Sequence, residues 1–586
     1  MKPRQPLLTT LLFVASGAML TVIQAPLKAS LLAWVALVPF VVACSPTAKP
    51  GRLALIALVV GFLYWLVNLY WISPITIPGW IALCVYMAVL WPLLALALRF
   101  CRSKGWPLFL ATPILVVGAE RLQGFPLGGF YWRFLGHSQY AHLSVIQIAD
   151  LFGVAGVSFV VATVSGLLAD VLLHVIGGAG KPHPAETPRQ SRSGKRLAIE
   201  VAIAGALVTG TLLYGWWRLA QTESSVTTGP VVAAIQSNVP ISVKRSFQAS
   251  EEIFEELMVK SRAAATAGAE LIVWPETMVQ GILEPRLWPL LQPPPKQAEA
   301  FFQALSEHAL DTTHLLVGAY GGEVLKDFQD QYYLGDYNSA YLFRPDGSRD
   351  PNRYDKIHLV LFGEYIPFRK RFNWLYQQLR RFTPKEYNYD YSLEHGTNYT
   401  VFDMTDPNTV DADEHHFAVI ICYEDTIPYV PRNFALDERG RKRVDWLVNI
   451  SNDGWFVRFP QDPPRVVPST ELLQHAAICA FRAVENRLGI LRSVNTGVSC
   501  LIESTGRIRN GYVAASEGWP AEAMQRTGMA GWFLDEMPID KRVTFYSRHG
   551  PWLARSCALA FAAAVIWPFG VRLVRRRRRA TTRTVQ

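Results

Sequence analysis

Long apolar runs dominate the first 220 residues, and a shorter-period pattern replaces them afterwards. Apolar stretches lie near Leu7–Ala25, Leu31–Cys44, Leu53–Ile72, Trp80–Leu98, Pro107–Ala119, Leu143–Val175 and Leu197–Leu219, with another near Trp552–Val571. A spanning helix needs about 20 apolar residues, so the pattern predicts about seven spans and a final eighth. The second and fifth runs are short, and Gly153 and Gly156 interrupt the sixth. The first run could also serve as a cleaved signal peptide, but no small-x-small cleavage site leads from it into a soluble domain.

Between about Gln221 and Gly550 the apolar runs are short enough for a soluble domain. "VVAAIQSNV" (Val231–Val239), "LIVWPE", "HLLVGAY", "YNSAYLF", "FAVIICYE" and "DWLVNISND" read as strands. "SEEIFEELMVKSRAAATAG" reads as a helix capped by Ser250, with Glu251 and Glu252 in its first turn. Further helical patterns cover Gln297–Ala309 and Thr470–Glu485, and the acid-rich stretch Asp403–His415 reads as a solvated loop. Strands alternating with helices predict a layered α/β domain. The expected organisation is a membrane domain over 1–220, a polar domain over 221–550, and a terminal span with a basic tail over 551–586.

Composition supports a chain partly in lipid: of 586 residues, 50% are hydrophobic and only 18% charged. The net charge of +10 is localised, much of it in "RLVRRRRRATTR" beside the last apolar run. That placement predicts a cytoplasmic membrane flank rather than a nucleic-acid partner. Lys2 and Arg4 precede the first run. Lys49 and Arg52, then Arg99, Arg102 and Lys104, then Lys181, Arg189, Arg192, Lys195 and Arg196 fill every second loop. The intervening loops are poorer in charge, so both termini are expected in the cytoplasm and the polar domain on the outer side. Seven cysteines without a CxxC pair argue against a disulfide framework or a zinc site. No ionisable relay stands out within the runs, which argues against a transporter.

Three chemically able residues follow hydrophobic strands in the polar domain, where α/β folds collect ligand sites. In "ELIVWPETMV" Pro275 ends the strand and Glu276 follows, reading either as a general base or as a helix N-cap acid. Lys356 and Glu364 lie in "YDKIHLVLFGEYIPF". The lysine reads either as an oxyanion-stabilising ammonium or as a surface residue with its stem along apolar neighbours. Glu364, flanked by Phe362, Tyr365, Ile366 and Phe368, should be paired. Cys422 in "HFAVIICYEDTIP" is either buried packing or a nucleophile that needs a base and a cation nearby. No GxSxG elbow occurs, and His415-His416 reads as a loop feature.

Taken in order, "WPE", "YDKIHLVLFGEYIP" and "ICYE" resemble the Glu-Lys-Cys triad of the carbon–nitrogen hydrolase (nitrilase) superfamily, and "VNISNDGWF" and "RAVENRLGILRSVNTGVSCLIESTGRI" resemble its later strands. With the apolar runs on either side, the chain resembles the apolipoprotein N-acyltransferases. The resemblance implies a helical membrane domain carrying an α/β, nitrilase-like αββα sandwich, in a bacterial inner membrane. It implies acyl transfer without metal or dissociable cofactor. Glu276 would be the base, Cys422 the nucleophile and Lys356 the oxyanion partner, with Glu364, Tyr423 and Glu424 supporting them. The implied donor is a phospholipid, commonly phosphatidylethanolamine, and the implied acceptor is the amine of a diacylglyceryl-cysteine apolipoprotein. Cys479 and Cys500 keep a packing role.

The chain departs from the family pattern at Arg245, where a tryptophan is usual, and at Leu361, where a proline is common. It also departs in the long proline-rich stretch "VRFPQDPPRVVPSTELLQH". Other expectations remain: a membrane-tethered amidase or nitrilase, an acyltransferase with another acceptor, or a non-catalytic binding module.

Overall fold

The computed structural model describes residues 4–125, 128–178, 194–240, 247–326, 330–368, 372–380, 391–404, 414–512 and 518–583. Lys2, Lys181, Arg189, Arg192, Arg245 and positions 405–413 of the acid-rich stretch lie outside them. The chain divides into two compact units. One comprises Met1–Ser73, Ile77–Leu219 and His549–Gln586, and the other comprises Pro74–Thr76 and Ala220–Arg548.

The first unit is helical. Five of its described segments are long and apolar enough to cross a membrane: Gln5–Val22, Pro50–Asn68, Ile77–Ser103, Val154–Ile176 and Gly194–Ala220. Ser30–Ala43, Leu143–Phe152 and Trp552–Trp567 are shorter apolar pieces. Pro107 precedes a 16-residue helix, Leu108–Gln123, whose last turn carries Glu120 and Arg121. The sixth predicted run is divided where the pattern placed its first glycine: Gly153 takes φ +68 between helices Ala149–Phe152 and Val154–Gly178. Gly156 lies within the second of these. Two buried aspartates here are matched. Arg218 and the Tyr214 hydroxyl both meet Asp150 at 2.7 Å, and Asp170 accepts the backbone N–H groups of Leu108 and Phe109 at 2.7 and 3.1 Å. Buried charge in lipid is tolerated only when so paired.

The second unit holds two sheets. The first contains β1 (Val226–Gln236), β2 (Leu271–Val273), β3 (Val279–Ile282), β4 (His314–Lys326), β5 (Tyr332–Phe343), β6 (Tyr354–Asp355) and β13 (Gly531–Asp540), in the order β13-β1-β2-β4-β5-β6 with β3 against β4. The second contains β7 (Val401–Asp403), β8 (His416–Ile421), β9 (Trp446–Ser451), β10 (Gly489–Val494), β11 (Cys500–Ile502) and β12 (Ile508–Arg509), paired in reverse chain order. Strands β1, β2 and β4 run parallel, as do β8, β9 and β10. Their near-continuous apolar sequences suit strands buried on both faces. The Phe247–Thr266 and Lys296–Asp311 helices cover the first sheet through Phe254, Leu257, Phe301 and Leu305, packed on Ile272, Trp274, Leu315 and Tyr341. The sheets interlock at polar points: Ser493 Oγ lies 2.9 Å from the carbonyls of both Ile235 and Val273.

Two local expectations are corrected. Ser250 lies inside a helix that begins at Phe247, so it is not the cap; buried, its hydroxyl accepts from Gln297 of the neighbouring helix at 2.9 Å. His416 is the first residue of β8 rather than a loop residue, and its Nδ1 meets Asp403 of β7 at 2.6 Å.

Candidate active site

Each candidate residue leaves the end of a strand. Glu276 stands three residues beyond β2, and β3 follows it, so no helix is present for it to cap. Lys356 directly follows β6, and Cys422 directly follows β8. Cys422 adopts φ +51, a left-handed conformation that costs a side-chain-bearing residue about 1–2 kcal/mol. Such strain turns the thiol sharply out of the strand and needs outside support to persist.

The three meet in a desolvated cluster: Lys356 is 1% exposed, Glu276 5% and Cys422 7%. The reading of Lys356 as a surface residue is thereby excluded. Its Nζ donates to Glu364 Oε1 at 2.8 Å and to Glu276 Oε1 at 3.3 Å. Burial disfavours the ammonium, but the two carboxylates outweigh that and hold it well above the usual lysine range. Glu276 Oε1 also accepts from Asn338 Nδ2 at 2.6 Å, and its Oε2 accepts the Asn452 backbone N–H at 2.8 Å. Burial pushes the Cys422 thiol up; Glu276 adds to the shift, while Lys356 and His475 oppose it. Cys422 is therefore a thiol at rest, and forming a thiolate requires its proton to leave to a neighbour.

The supporting residues have distinct places. Glu364 is paired as expected: besides Lys356 it accepts Asn338 Nδ2 at 3.0 Å and the Val360 N–H at 2.8 Å. The flanking aromatics do not bury it, since Phe362 and Phe368 are 46% and 40% exposed. Glu424 is fully buried and receives four donors: the N–H groups of Ile421, Ile357 and His358 at 2.7, 2.7 and 2.9 Å, and the Tyr354 hydroxyl at 2.8 Å. It ties the Cys422 turn to the segment carrying Lys356. Burial pushes its carboxyl up to about 7, with the N–H groups, Lys356 and Tyr354 pulling downward. Tyr423 is half-buried, its ring 6.0 Å from that of His358. Cys479 and Cys500 are wholly buried, in the Thr470–Asn486 helix and in β11.

Sequence reasoning missed Asn338, Tyr354 and Asn452. The available signal was an amide in the otherwise buried end of β5, together with the "SND" that closes β9. It also missed a second cluster behind Cys422. There His475, Asp425, Asp453, Glu471 and Arg492 are all buried. Asp453, Glu471 and His475 bring ligating atoms within 4.8 Å of one another. Arg492 already lies across Asp425 and, at 3.1 Å, Asp453. The cluster is thus an ion-pair network of three carboxylates held by two cations, His475 and Arg492, in which burial and Asp453 push the Glu471 carboxyl up to about 7.

Known proteins resemble the chain along most of its length. The family profile of the apolipoprotein N-acyltransferase N-terminal domain matches residues 16–167, and that of carbon-nitrogen hydrolase matches residues 231–522. An apolipoprotein N-acyltransferase of Geobacter metallireducens is 31% identical over 95% of both chains. One from Chlorobaculum tepidum is 26% identical over 91% of this chain and 92% of its own. Among solved structures, an amidase from Nesterenkonia sp. aligns over 55% of this chain and 93% of its own, at 15% identity and a TM-score of 0.34. With that identity to the Geobacter relative sustained along the whole length, and both family domains in order, the chain belongs to the apolipoprotein N-acyltransferase family.

Proposed function

We propose that this protein is a membrane acyltransferase that moves a fatty acyl chain from a phospholipid to the N-terminal amine of a lipoprotein, through a thioester on Cys422. The observation that carries the reading is the buried contact of Lys356 with Glu276 beside the strained Cys422 turn, in a chain of this family. The Glu276 carboxylate takes the thiol proton as Sγ bonds to the ester carbonyl carbon. Lys356 faces the tetrahedral oxyanion. Collapse breaks the ester C–O bond, and the proton on Glu276 passes to the departing lysophospholipid oxygen. In the second half, the α-amine of a diacylglyceryl-cysteine attacks the thioester carbon. A C–N bond forms, the C–S bond breaks, and a proton from the amine returns through Glu276 to Sγ.

Phosphatidylethanolamine is the donor we favour. The charge pattern of the loops supports an outward-facing catalytic unit with both termini in the cytoplasm of a bacterial inner-membrane protein. A membrane base suits two lipid-anchored substrates, because drawing an acyl chain into water costs about 0.8 kcal/mol per methylene. A covalent intermediate lets the bulky donor leave before the acceptor enters. Hydrolysis of a small amide, the competing expectation, is not favoured by the relatives.

The test is mass spectrometry of the full-length protein after incubation with phosphatidylethanolamine. A thioester on Cys422 is expected, with stoichiometric lysophospholipid, and both should be absent in Cys422→Ala and Glu276→Gln. Acylation that persists in Cys422→Ala would overturn the mechanism.

A further inference from the structure

The ion-pair network behind the nucleophile is costly to bury and has no part in the mechanism above. His475 lies at its centre, on the Thr470–Asn486 helix. Its Nε2 meets Asp425 Oδ1 at 2.7 Å, and its Nδ1 lies 3.3 Å from Asp453 Oδ1 and 3.1 Å from Glu471 Oε1. Arg492 of β10 meets Asp425 and Asp453 from the other side and donates to Asn449 Oδ1 of β9 at 2.6 Å. The Cys479 thiol, one turn further along the same helix, and the Cys500 and Cys422 thiols are further titratable neighbours, and burial keeps all three protonated. All five charged groups are 1% exposed or less.

The two aspartates occupy particular places. Asp425 closes the one-turn segment that begins with Cys422. Asp453 directly follows Asn452, whose backbone N–H holds Glu276 Oε2 at 2.8 Å. One imidazole therefore grips the turn that aims the nucleophile and the turn that aims the base. Those turns leave different strands, β8 and β9, with no other described side chain except Arg492 bridging both aspartates. Burial disfavours the imidazolium, but Asp425, Asp453 and Glu471 outweigh that and raise His475 well above its usual range. Against burial, His475 and Arg492 hold Asp453 down to about 2, so the grip is between full charges.

We propose that His475 is a positioning residue for acyl transfer: by bridging Asp425 and Asp453 it fixes the Cys422 turn relative to the Asn452 N–H that orients Glu276. This rests on the thioester reading above. A residue acting in this way changes the rate of chemistry on a bound donor. A merely structural one changes only how much protein is folded.

The experiment is rapid-quench mass spectrometry of Cys422 acylation by phosphatidylethanolamine, using the full chain in phospholipid nanodiscs, with thermal unfolding to count folded molecules. Removing one charge from this core can unfold the chain. His475→Gln is therefore measured beside Glu471→Gln/His475→Gln, which keeps the formal charge of the cluster while deleting the bridge. The expected result for whichever variants fold is acylation slowed at least 30-fold per folded molecule, with the donor concentration for half-maximal rate within threefold of wild type. Acylation at the wild-type rate per folded molecule in either variant overturns the proposal, and so does a loss confined to donor affinity. If the wild-type chain forms no thioester, the functional reading itself fails; if wild type and variants form it equally fast, only the role of His475 does.

Discussion

Lys356→Met deletes a cation held between two carboxylates, at 2.8 Å from Glu364 and 3.3 Å from Glu276. At an effective dielectric of about 20, those separations correspond to gross attractions of about 6 and about 5 kcal/mol. Much of that offsets the burial of the charges, and breaking a buried pair from one side costs about 3–5 kcal/mol net. The variant has an escape: the two carboxylates, still bridged by Asn338, can bind one proton between them. The two proteins then respond to pH differently. In the native chain Lys356 lies above its unfolded value, so its contribution is complete below that value and flat from pH 5 to 8. In the variant the retained proton is a carboxyl proton held more tightly folded than unfolded. Stability is therefore full at low pH and falls by up to about 1.4 kcal/mol per unit as pH rises through the folded titration. Thermal unfolding of both full-length proteins in detergent at pH 5, 6.5 and 8 should show a gap that widens with pH by about 2–4 kcal/mol. Acylation of Cys422 should fall at least about 100-fold, as when an oxyanion donor is removed. A gap of constant size across the three pH values would refute the charge-balance reasoning, because no extra proton would then be bound.

Three further outcomes can be checked directly. Asn338→Leu strips one amide donor from the buried Glu276 and the half-buried Glu364 while removing an Oδ1 that has no hydrogen-bond partner among the described residues. The chain should lose about 2 kcal/mol in thermal unfolding and slow at least tenfold in single-turnover acylation. Alkylation of Cys422 by iodoacetamide, followed by peptide mass spectrometry, should climb steadily from pH 7 to 10, since burial raises the thiol; a plateau near pH 7 would mean a pre-formed thiolate. Gly118→Val should lower the melting temperature of the detergent-solubilised chain by several degrees. A Cβ at Gly118 would lie 2.5 Å from the Cys557 carbonyl of the C-terminal helix, and small residues allow such close helix approach.

The strands before Glu276 and Cys422 were readable because each is an apolar run closed by a chemically able residue, whose expense in such a setting made it informative. Lys356 follows only the two-residue strand Tyr354–Asp355 and stood out through the order of the three motifs. What was not readable lies in contacts between distant segments. Asn338 reaches Glu276 across 62 residues, Tyr354 reaches Glu424 across 70, and His475 reaches Asp425 across 50. In its own segment each looks ordinary: an amide in a strand, a tyrosine at a strand start, a histidine on a helix. Ser250 shows the converse. Serine before two glutamates is a good local cap signal, yet the helix starts three residues earlier and the hydroxyl bonds to a neighbouring helix. Among the apolar runs, hydropathy placed the helical segments. Their lengths were set by features that an average smooths over, such as Pro107 before the Leu108–Gln123 helix and Gly124 after it.

In the proposed mechanism, the charge arrangement lets a thiol so unwilling to ionise serve as the nucleophile. At rest the site holds one ammonium against two carboxylates, with Cys422 neutral. When the thiol proton passes to Glu276, the negative charge moves from oxygen to sulfur, and attack moves it on to the carbonyl oxygen. At no stage is a new charge created in the desolvated cluster, and Lys356 stays in reach throughout while Glu364 anchors it. Moving a charge among prearranged dipoles avoids the solvent reorganisation that water would require. Glu364 is therefore needed for what it prevents. Without it, Lys356 would pair with Glu276 alone, and protonating that carboxylate would leave the ammonium only the moving charge on sulfur and then on the oxyanion, with no fixed carboxylate to hold it in place. Glu364→Gln should accordingly slow the chemical step by at least tenfold while leaving donor affinity within a few-fold of wild type. An equal rate per folded molecule in single-turnover acylation would show that Lys356 needs no second carboxylate.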